Sequence, residues 1–323
     1  MANFLYSSNK LVKKNTLSAL TGALASLLIA APCVVANPLF DGADPDILVE
    51  NRKFWIYPTT EDKPKKEFFV YVSDDLRNWK REGPILEAKD VTWIDKDGAP
   101  LHELWAPGIF NYNQQYYLYY AVGPQNPTPS RIGVAVCSSP NGTFVDSGKP
   151  LITGGTDFEA IDPMVFKDPA SEKIYLYAGG SAGAKLKVFE LNDDCITIKQ
   201  ECPVETPKHF TEAPFMHLRD RTYYLSYSHG VWNSDSYGVY FSTSTSPLGP
   251  WTLQGEILKT DQRHAGPGHH SFVKDPTTGK WYIIYHRWNN AKFAGKMPEV
   301  RSVSIDAVEY DTNGIILPIV MTD

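Results

Sequence analysis

The chain has 323 residues, of which 42% are hydrophobic and 13% aromatic, and its formal net charge is −6 at pH 7. That length can bury a large core, and the Tyr and Trp content, with 24 Pro and 23 Gly, suits strands better than helices. An acidic balance with no basic run excludes nucleic acid as a partner.

Lys10, Lys13 and Lys14 precede an apolar run from Leu17 to Ala31, then Val34-Val35-Ala36 and a polar turn at Asn37-Pro38. This is the pattern of a secretory signal peptide over residues 1–36, with cleavage after Ala36. The apolar run is short for a bilayer-spanning helix, so no stable membrane anchor is expected. The mature chain, residues 37–323, is then secreted or periplasmic. Losing three Lys and no acid takes the charge from −6 to −9 over 287 residues. Cys195 and Cys202 lie seven apart in the sequence and are expected to bridge a hairpin in an oxidising compartment. Cys137 ends a strand-like run and reads as a small buried residue. The sequence carries no nucleophile elbow, P-loop, dinucleotide glycine motif or zinc-type Cys/His cluster.

From Asn37 onward one unit recurs: an anchor at or near Pro, an apolar strand, an aromatic strand, then an alternating strand. The anchors are Asp44-Pro45-Asp46, Trp105-Ala106-Pro107, Ile161-Asp162-Pro163, Thr211-Glu212-Ala213-Pro214 and Gly268-His269-His270-Ser271. Taken at 44, 106, 162, 212 and 269, they are 62, 56, 50 and 57 residues apart. Repeats of three or four strands at this spacing predict an all-β fold, a five-bladed β-propeller forming a single domain over 37–323. A β-sandwich has no need of five similar units in series.

The first strand of a propeller blade lines the central axis, so equivalent anchors converge at one mouth. Asp44, Trp105-Ala106, Asp162, Glu212 and His269/His270 are thereby expected to face one another. Carboxylates held close force at least one pKa upward, which keeps a neutral acid available near pH 7. A proton donor and an ionised base across a sugar-sized gap describe a glycosidase. The blander alternative is a hub in which the acids hold a structural metal.

These anchors resemble those of glycoside hydrolase family 43, five-bladed propellers acting on arabinose- and xylose-containing polysaccharides. The likeness spans about 280 of the 287 mature residues by repeat pattern. It implies Asp44 as general base, Glu212 as general acid, and Asp162 as the residue that orients the acid and tunes its pKa. Asp46 and Asp41 compete for the base role, but only Asp44 has the family's position. Gly268-His269-His270-Ser271 resembles a fifth-blade element whose His meets water or Ca²⁺, which favours His269 over His270 as a water-mediated metal contact. Ca²⁺ prefers oxygen ligands, so the His alone is a poor signal. Tyr285-His286-Arg287-Trp288 resembles a late-strand element whose Arg reaches the sugar, with a rim ion pair as the alternative for Arg287. Trp105 is expected to floor the sugar site, unless it is a core Trp. Trp232 and His229 follow the fourth aromatic strand, where loops rim the pocket.

The resemblance implies an inverting hydrolase that needs no organic cofactor, any Ca²⁺ being structural or electrostatic. Asp44 and Glu212 are expected about 6.5–9.5 Å apart, leaving room for a water. The loop from Asp90 to Glu103 is expected to wall one side of the axis. A walled pocket points to exo-release of α-L-arabinofuranosyl or β-D-xylosyl units from arabinan or arabinoxylan. Endo-arabinanase action is the alternative within the family. A carbohydrate-binding propeller without activity is the rival class, and the presence of all three acids argues against it.

Overall fold

The computed structural model describes residues 36–289, 297 and 300–323. The expected signal segment therefore lies outside the described residues, save Ala36. Among the described residues no helix is long and apolar enough to cross a membrane.

Five antiparallel sheets form the five blades expected from the repeats. Blade one holds β2 (Ala43–Glu50), β3 (Lys53–Thr59), β4 (Glu67–Ser73) and β5 (Lys80–Glu87) in sequence order. Blade two holds β6 (Glu103–Tyr112), β7 (Gln115–Gly123) and β8 (Arg131–Cys137), with the short β9 (Val145–Asp146) and β10 (Ile152–Thr153) both pairing with β8. Blade three runs β11 (Met164–Lys167), β12 (Ile174–Ala178), β13 (Lys187–Leu191) and β14 (Ile198–Cys202). Blade four runs β15 (Glu212–Arg219), β16 (Thr222–His229), β17 (Gly238–Ser244) and β18 (Thr252–Leu258). Blade five has β19 (His264–Lys274), β20 (Trp281–Asn289) and β21 (Ser302–Val308). Its outer strand is β1 (Phe40–Asp41), which pairs with β21 through Phe40–Val303 and Asp41–Ser302. The ring is thus closed by the start of the described chain. Asn37 extends this seam, its side-chain amide donating to Ile305 O at 2.8 Å and accepting the Ile305 N–H at 2.9 Å.

The aromatic second strands are apolar on both faces because each lies between two neighbouring blades. Alternate residues of β7 go opposite ways. Leu118 and Tyr120 join Trp55 and Tyr57 of blade one, whereas Tyr117 and Tyr119 join Leu176 and Phe189 of blade three. The same division recurs in β12, β16, β20 and β3, giving one apolar cluster for each seam between blades. Each buried Leu or Phe side chain contributes roughly 1.5–3 kcal/mol, so the seams hold the ring together. Where blade two meets blade three the backbones approach at Gly108, where an added Cβ would lie 2.3 Å from Pro163 O.

The expected Cys195–Cys202 bridge is absent: both thiols are free. Cys202 ends β14 while Cys195 sits in the turn before it, with Ile198 four residues from Cys202. Four strand residues span about 13 Å, well past disulfide reach. The thiols also pack into different seams, Cys195 between blades two and three and Cys202 between blades three and four.

Candidate active site

Each blade has, in its inner strand or just before it, one non-glycine anchor residue in the left-handed region: Asp44 (φ 47°), Ala106 (47°), Asp162 (56°), Ala213 (53°) and His269 (40°). Such a residue costs on the order of 1–3 kcal/mol and persists only where its surroundings fix it. In four of the five its amide N–H meets a side chain of the preceding blade. Asp44 N lies 3.1 Å from His286 Nδ1, Ala106 donates to Thr59 Oγ1 at 2.7 Å, Ala213 to Asp162 Oδ2 at 3.0 Å, and His269 to Ser228 Oγ at 2.8 Å. The ladder shifts register there in blades one, two, four and five. These bulges swing the anchor side chains toward the axis.

The anchors are not all equivalent as expected. Ala213, not Glu212, matches Asp44 and Asp162; Glu212 stands one residue earlier, as does Trp105 before Ala106. Two successive positions on the inner strands therefore supply the mouth. Asp44, Asp162, Glu212, Trp105, Trp232 and His269 all line one cavity of about 350 Å³, within the usual range of roughly 300–1,000 Å³ for ligand pockets.

His269 joins two of the acids, with Nδ1 3.4 Å from Asp44 Oδ1 and 3.5 Å from Asp162 Oδ2. Asp44 Oδ1 also lies 3.1 Å from Arg301 Nη1 and 3.2 Å from His286 Nδ1. Glu212 Oε1 accepts the Tyr237 hydroxyl at 2.7 Å. The Tyr237 ring stacks on His286 at 5.8 Å. Trp105 is held flat against Gly123, where an added Cβ would strike the indole at 1.9 Å, and its Nε1 donates to Glu103 Oε2 at 3.1 Å. Trp232 is 48% exposed and covers the Arg301 guanidinium at 5.4 Å.

Burial alone would lift every carboxyl here. At Asp44, Arg301, His269 and His286 together overcome that desolvation and hold the carboxyl well below its ordinary pKa. Glu212 is pushed up to about 7, chiefly by burial, with Glu159 and Asp44 adding to the rise and Tyr237 and Arg301 opposing it. Asp162 is raised as well, first by burial and then by Glu212, Asp44 and Glu159. Asp162 and Glu212 resist ionising together, because the charge on one raises the cost of the other.

Arg287 does not reach this cavity. Side chains alternate along β20, and Arg287 shares the face of Tyr285, donating to Tyr285 Oη at 3.2 Å, Asn289 Oδ1 at 3.0 Å and Thr322 O at 2.6 Å. It is fully buried between strand and C-terminal tail. The arginine of the site is Arg301, gripped by Asp44 and by Glu61 Oε1 at 2.8 Å from its Nε. His229 turns away too, with Nδ1 at His209 O and its ring against Tyr240. Asp46 spends both oxygens on the backbone, accepting from Ile47 and Ile109, and Asp41 is exposed beside Ser302. His270 faces Ser226.

The loop from Asp90 to Glu103 does not wall the axis. Trp93 and Ile94 sink into the seam between blades one and two, and Asp97 pairs with Arg131 and His102, so only Glu103 of this loop lines the cavity. Sequence reasoning missed Arg301, Tyr237, His286, Glu159, Glu103, Lys63 and Lys65. Strand parity is the signal that would have put His286 rather than Arg287 at the mouth. Among the described residues no group of three or more His, Cys, Asp or Glu is disposed to hold a metal. A Ca²⁺ at His269 would take most of its six to eight oxygens from water.

Five blades gather at one mouth a carboxyl held below its ordinary pKa and another raised above it, a pattern suited to acid–base hydrolysis. The family model for glycosyl hydrolases family 43 matches residues 35–316, and the chain belongs to that family. It is a glycoside hydrolase. A β-D-galactofuranosidase of Aspergillus niger is 32% identical over 88% of this chain and 85% of its own length. A xylosidase/arabinosidase of Bacteroides ovatus is 27% identical, covering 86% and 94%. Among solved structures, a thermostable family-43 glycoside hydrolase matches in fold with TM-score 0.75 at 24% identity, over 90% of this chain and 96% of its own. A GH43 β-xylosidase/α-arabinofuranosidase from a compost metagenome, solved with xylotriose, gives TM-score 0.70 at 25% identity, covering 88% and 96%.

Proposed function

We propose that the protein is an inverting, exo-acting glycoside hydrolase that releases α-L-arabinofuranosyl or β-D-xylosyl residues from arabinan or arabinoxylan. The observation that carries the chemistry is the sharing of one cavity by two carboxyls of opposite tuning, Asp44 held well below its ordinary pKa and Glu212 lifted to about 7. Glu212 protonates the leaving oxygen while Asp44 takes a proton from the attacking water. Asp162 fixes the Ala213 amide beside the acid and shares its proton equilibrium. Trp105 offers an apolar wall to the sugar, and Trp232 a face at the exposed rim. The displacement needs no organic cofactor.

Exo-action is supported by a cavity lined from all five blades: Lys65, Trp105, Ile161, Trp232 and His269 each come from a different one. That surround suits a chain end better than a chain passing through. The substrate class is drawn from the relatives named for xylose and arabinose. The 32% identical galactofuranosidase supports a second reading, release of a β-D-galactofuranosyl unit. Residues 1–36 support action outside the cytoplasm.

The test is hydrolysis of aryl α-L-arabinofuranoside, aryl β-D-xyloside and aryl β-D-galactofuranoside side by side. Cleavage of one of the first two, at least 10-fold faster than the others, is the expected result. Preference for the third replaces the substrate assignment, and inertness toward all three overturns the exo-hydrolase reading.

A further inference from the structure

Glu159 stands three residues before Asp162 and is 7% exposed, and the hydrogen bonds that its side chain accepts come from a neutral turn. Its Oε2 accepts the Ala182 N–H at 2.8 Å and the Ser181 hydroxyl at 3.3 Å. Gly180 sits close under this turn, where an added Cβ would lie 2.6 Å from the Ile161 side chain and 2.7 Å from that same oxygen. Oε1 has no protein partner, and the residue lines the cavity with Asp44, Asp162 and Glu212.

A neutral amide could satisfy the 181–182 turn through one oxygen, so the turn does not explain an acid. Oε1 opens onto the cavity beside three further acids, and an ionised carboxylate only accepts hydrogen bonds, so the group that fits there is a donor.

We propose that Glu159 contacts the substrate, its Oε1 accepting a hydrogen bond from a free hydroxyl of the sugar seated between Asp44 and Glu212. The inference rests on the hydrolase reading above. It makes the blade-three wall a selector for a neutral sugar with an unsubstituted hydroxyl at that point. A sugar that is deoxygenated, alkylated or anionic there is rejected, because the acceptor is then left unpaired or faces like charge. Glu159 serves the acid as well: its charge adds to the rise at Glu212 and at Asp162, the two carboxyls it faces.

The test compares the full-length wild type with Glu159→Gln and Glu159→Ala on the three aryl glycosides, following kcat, KM, the pH profile of kcat/KM and thermal unfolding. In Glu159→Gln the carbonyl keeps the Ala182 N–H and an NH2 replaces the acceptor facing the sugar. The expected result is a loss of kcat/KM of roughly 10- to 100-fold in both variants. Its alkaline limb moves to lower pH, and Glu159→Gln keeps a melting temperature near that of the wild type. If Glu159→Gln retains wild-type constants and pH profile, Glu159 only anchors the turn and the inference falls alone. If the wild type cleaves none of the three glycosides, the functional reading falls and takes the inference with it.

Discussion

The Ala213 amide donates to Asp162 Oδ2 at 3.0 Å, so a carboxylate of blade three holds the backbone beside Glu212 of blade four. Glu212, the proposed proton donor, is thereby positioned from the preceding blade by a carboxyl that resists ionising alongside it.

Asp162→Asn should lower kcat/KM by roughly 10- to 100-fold on substrates with poor leaving groups, and less on aryl glycosides that need little protonation. Whenever Asp162 is ionised it favours the protonated form of Glu212, so removing its charge moves the alkaline limb of the pH–rate profile to lower pH. A limb that stays put or rises would show that Asp162 does no more than hold the backbone.

Tyr237→Phe should move that limb the other way. The hydroxyl stabilises ionised Glu212 through a 2.7 Å hydrogen bond, and its loss raises the pKa of the acid. The ring still stacks on His286, so thermal unfolding should change little. Paired pH profiles of the two variants check the opposed signs. Shifts in the same direction would contradict the arrangement described.

Arg301→Gln removes the cation that does most to hold Asp44 ionised. Asp44 then titrates at higher pH, the acid limb of kcat/KM moves upward, and activity near neutral pH falls by on the order of 10²-fold. Glu61 loses the Arg301 Nε–H and keeps only Lys65 Nζ at 3.7 Å, and breaking a buried pair costs about 3–5 kcal/mol in unfolding experiments. An unchanged acid limb would mean that Arg301 does not set the ionisation of Asp44.

Thiol titration of the denatured, unreduced protein should find Cys137, Cys195 and Cys202 all free. Adding reductant should leave the unfolding midpoint where it was. A covalent Cys195–Cys202 pair in peptide mapping would contradict the register of β13 and β14.

The ring was legible because a proline directly follows the left-handed residue in the first four blades and an aromatic strand follows each anchor at similar distance. Asp44, Trp105, Asp162, Glu212 and His269 were reachable from those marks, and the cavity gathers all five. What failed was parity. Counting back from proline puts Asp44 and Asp162 one residue before it but Glu212 two before Pro214, so Glu212 is matched by Trp105. One step along β20 likewise exchanges His286 for Arg287, because neighbouring strand residues face opposite ways. Arg301 was hidden for another reason. It acts across the closing seam, 257 residues from Asp44, where local spacing says nothing about proximity. Nothing in the spacing singles out Glu159, whose burial depends on the fold.

The assignment of Asp44 as base and Glu212 as acid is tested most directly by stereochemistry. Proton NMR of the anomeric region, recorded within the first turnovers on the aryl glycoside that is cleaved, identifies the anomer released before mutarotation. The account predicts the configuration opposite to that of the substrate, β-L-arabinofuranose from an α-L-arabinofuranoside, because water attacks directly from the Asp44 side. First release of the retained anomer would require a glycosyl-enzyme intermediate and would contradict it.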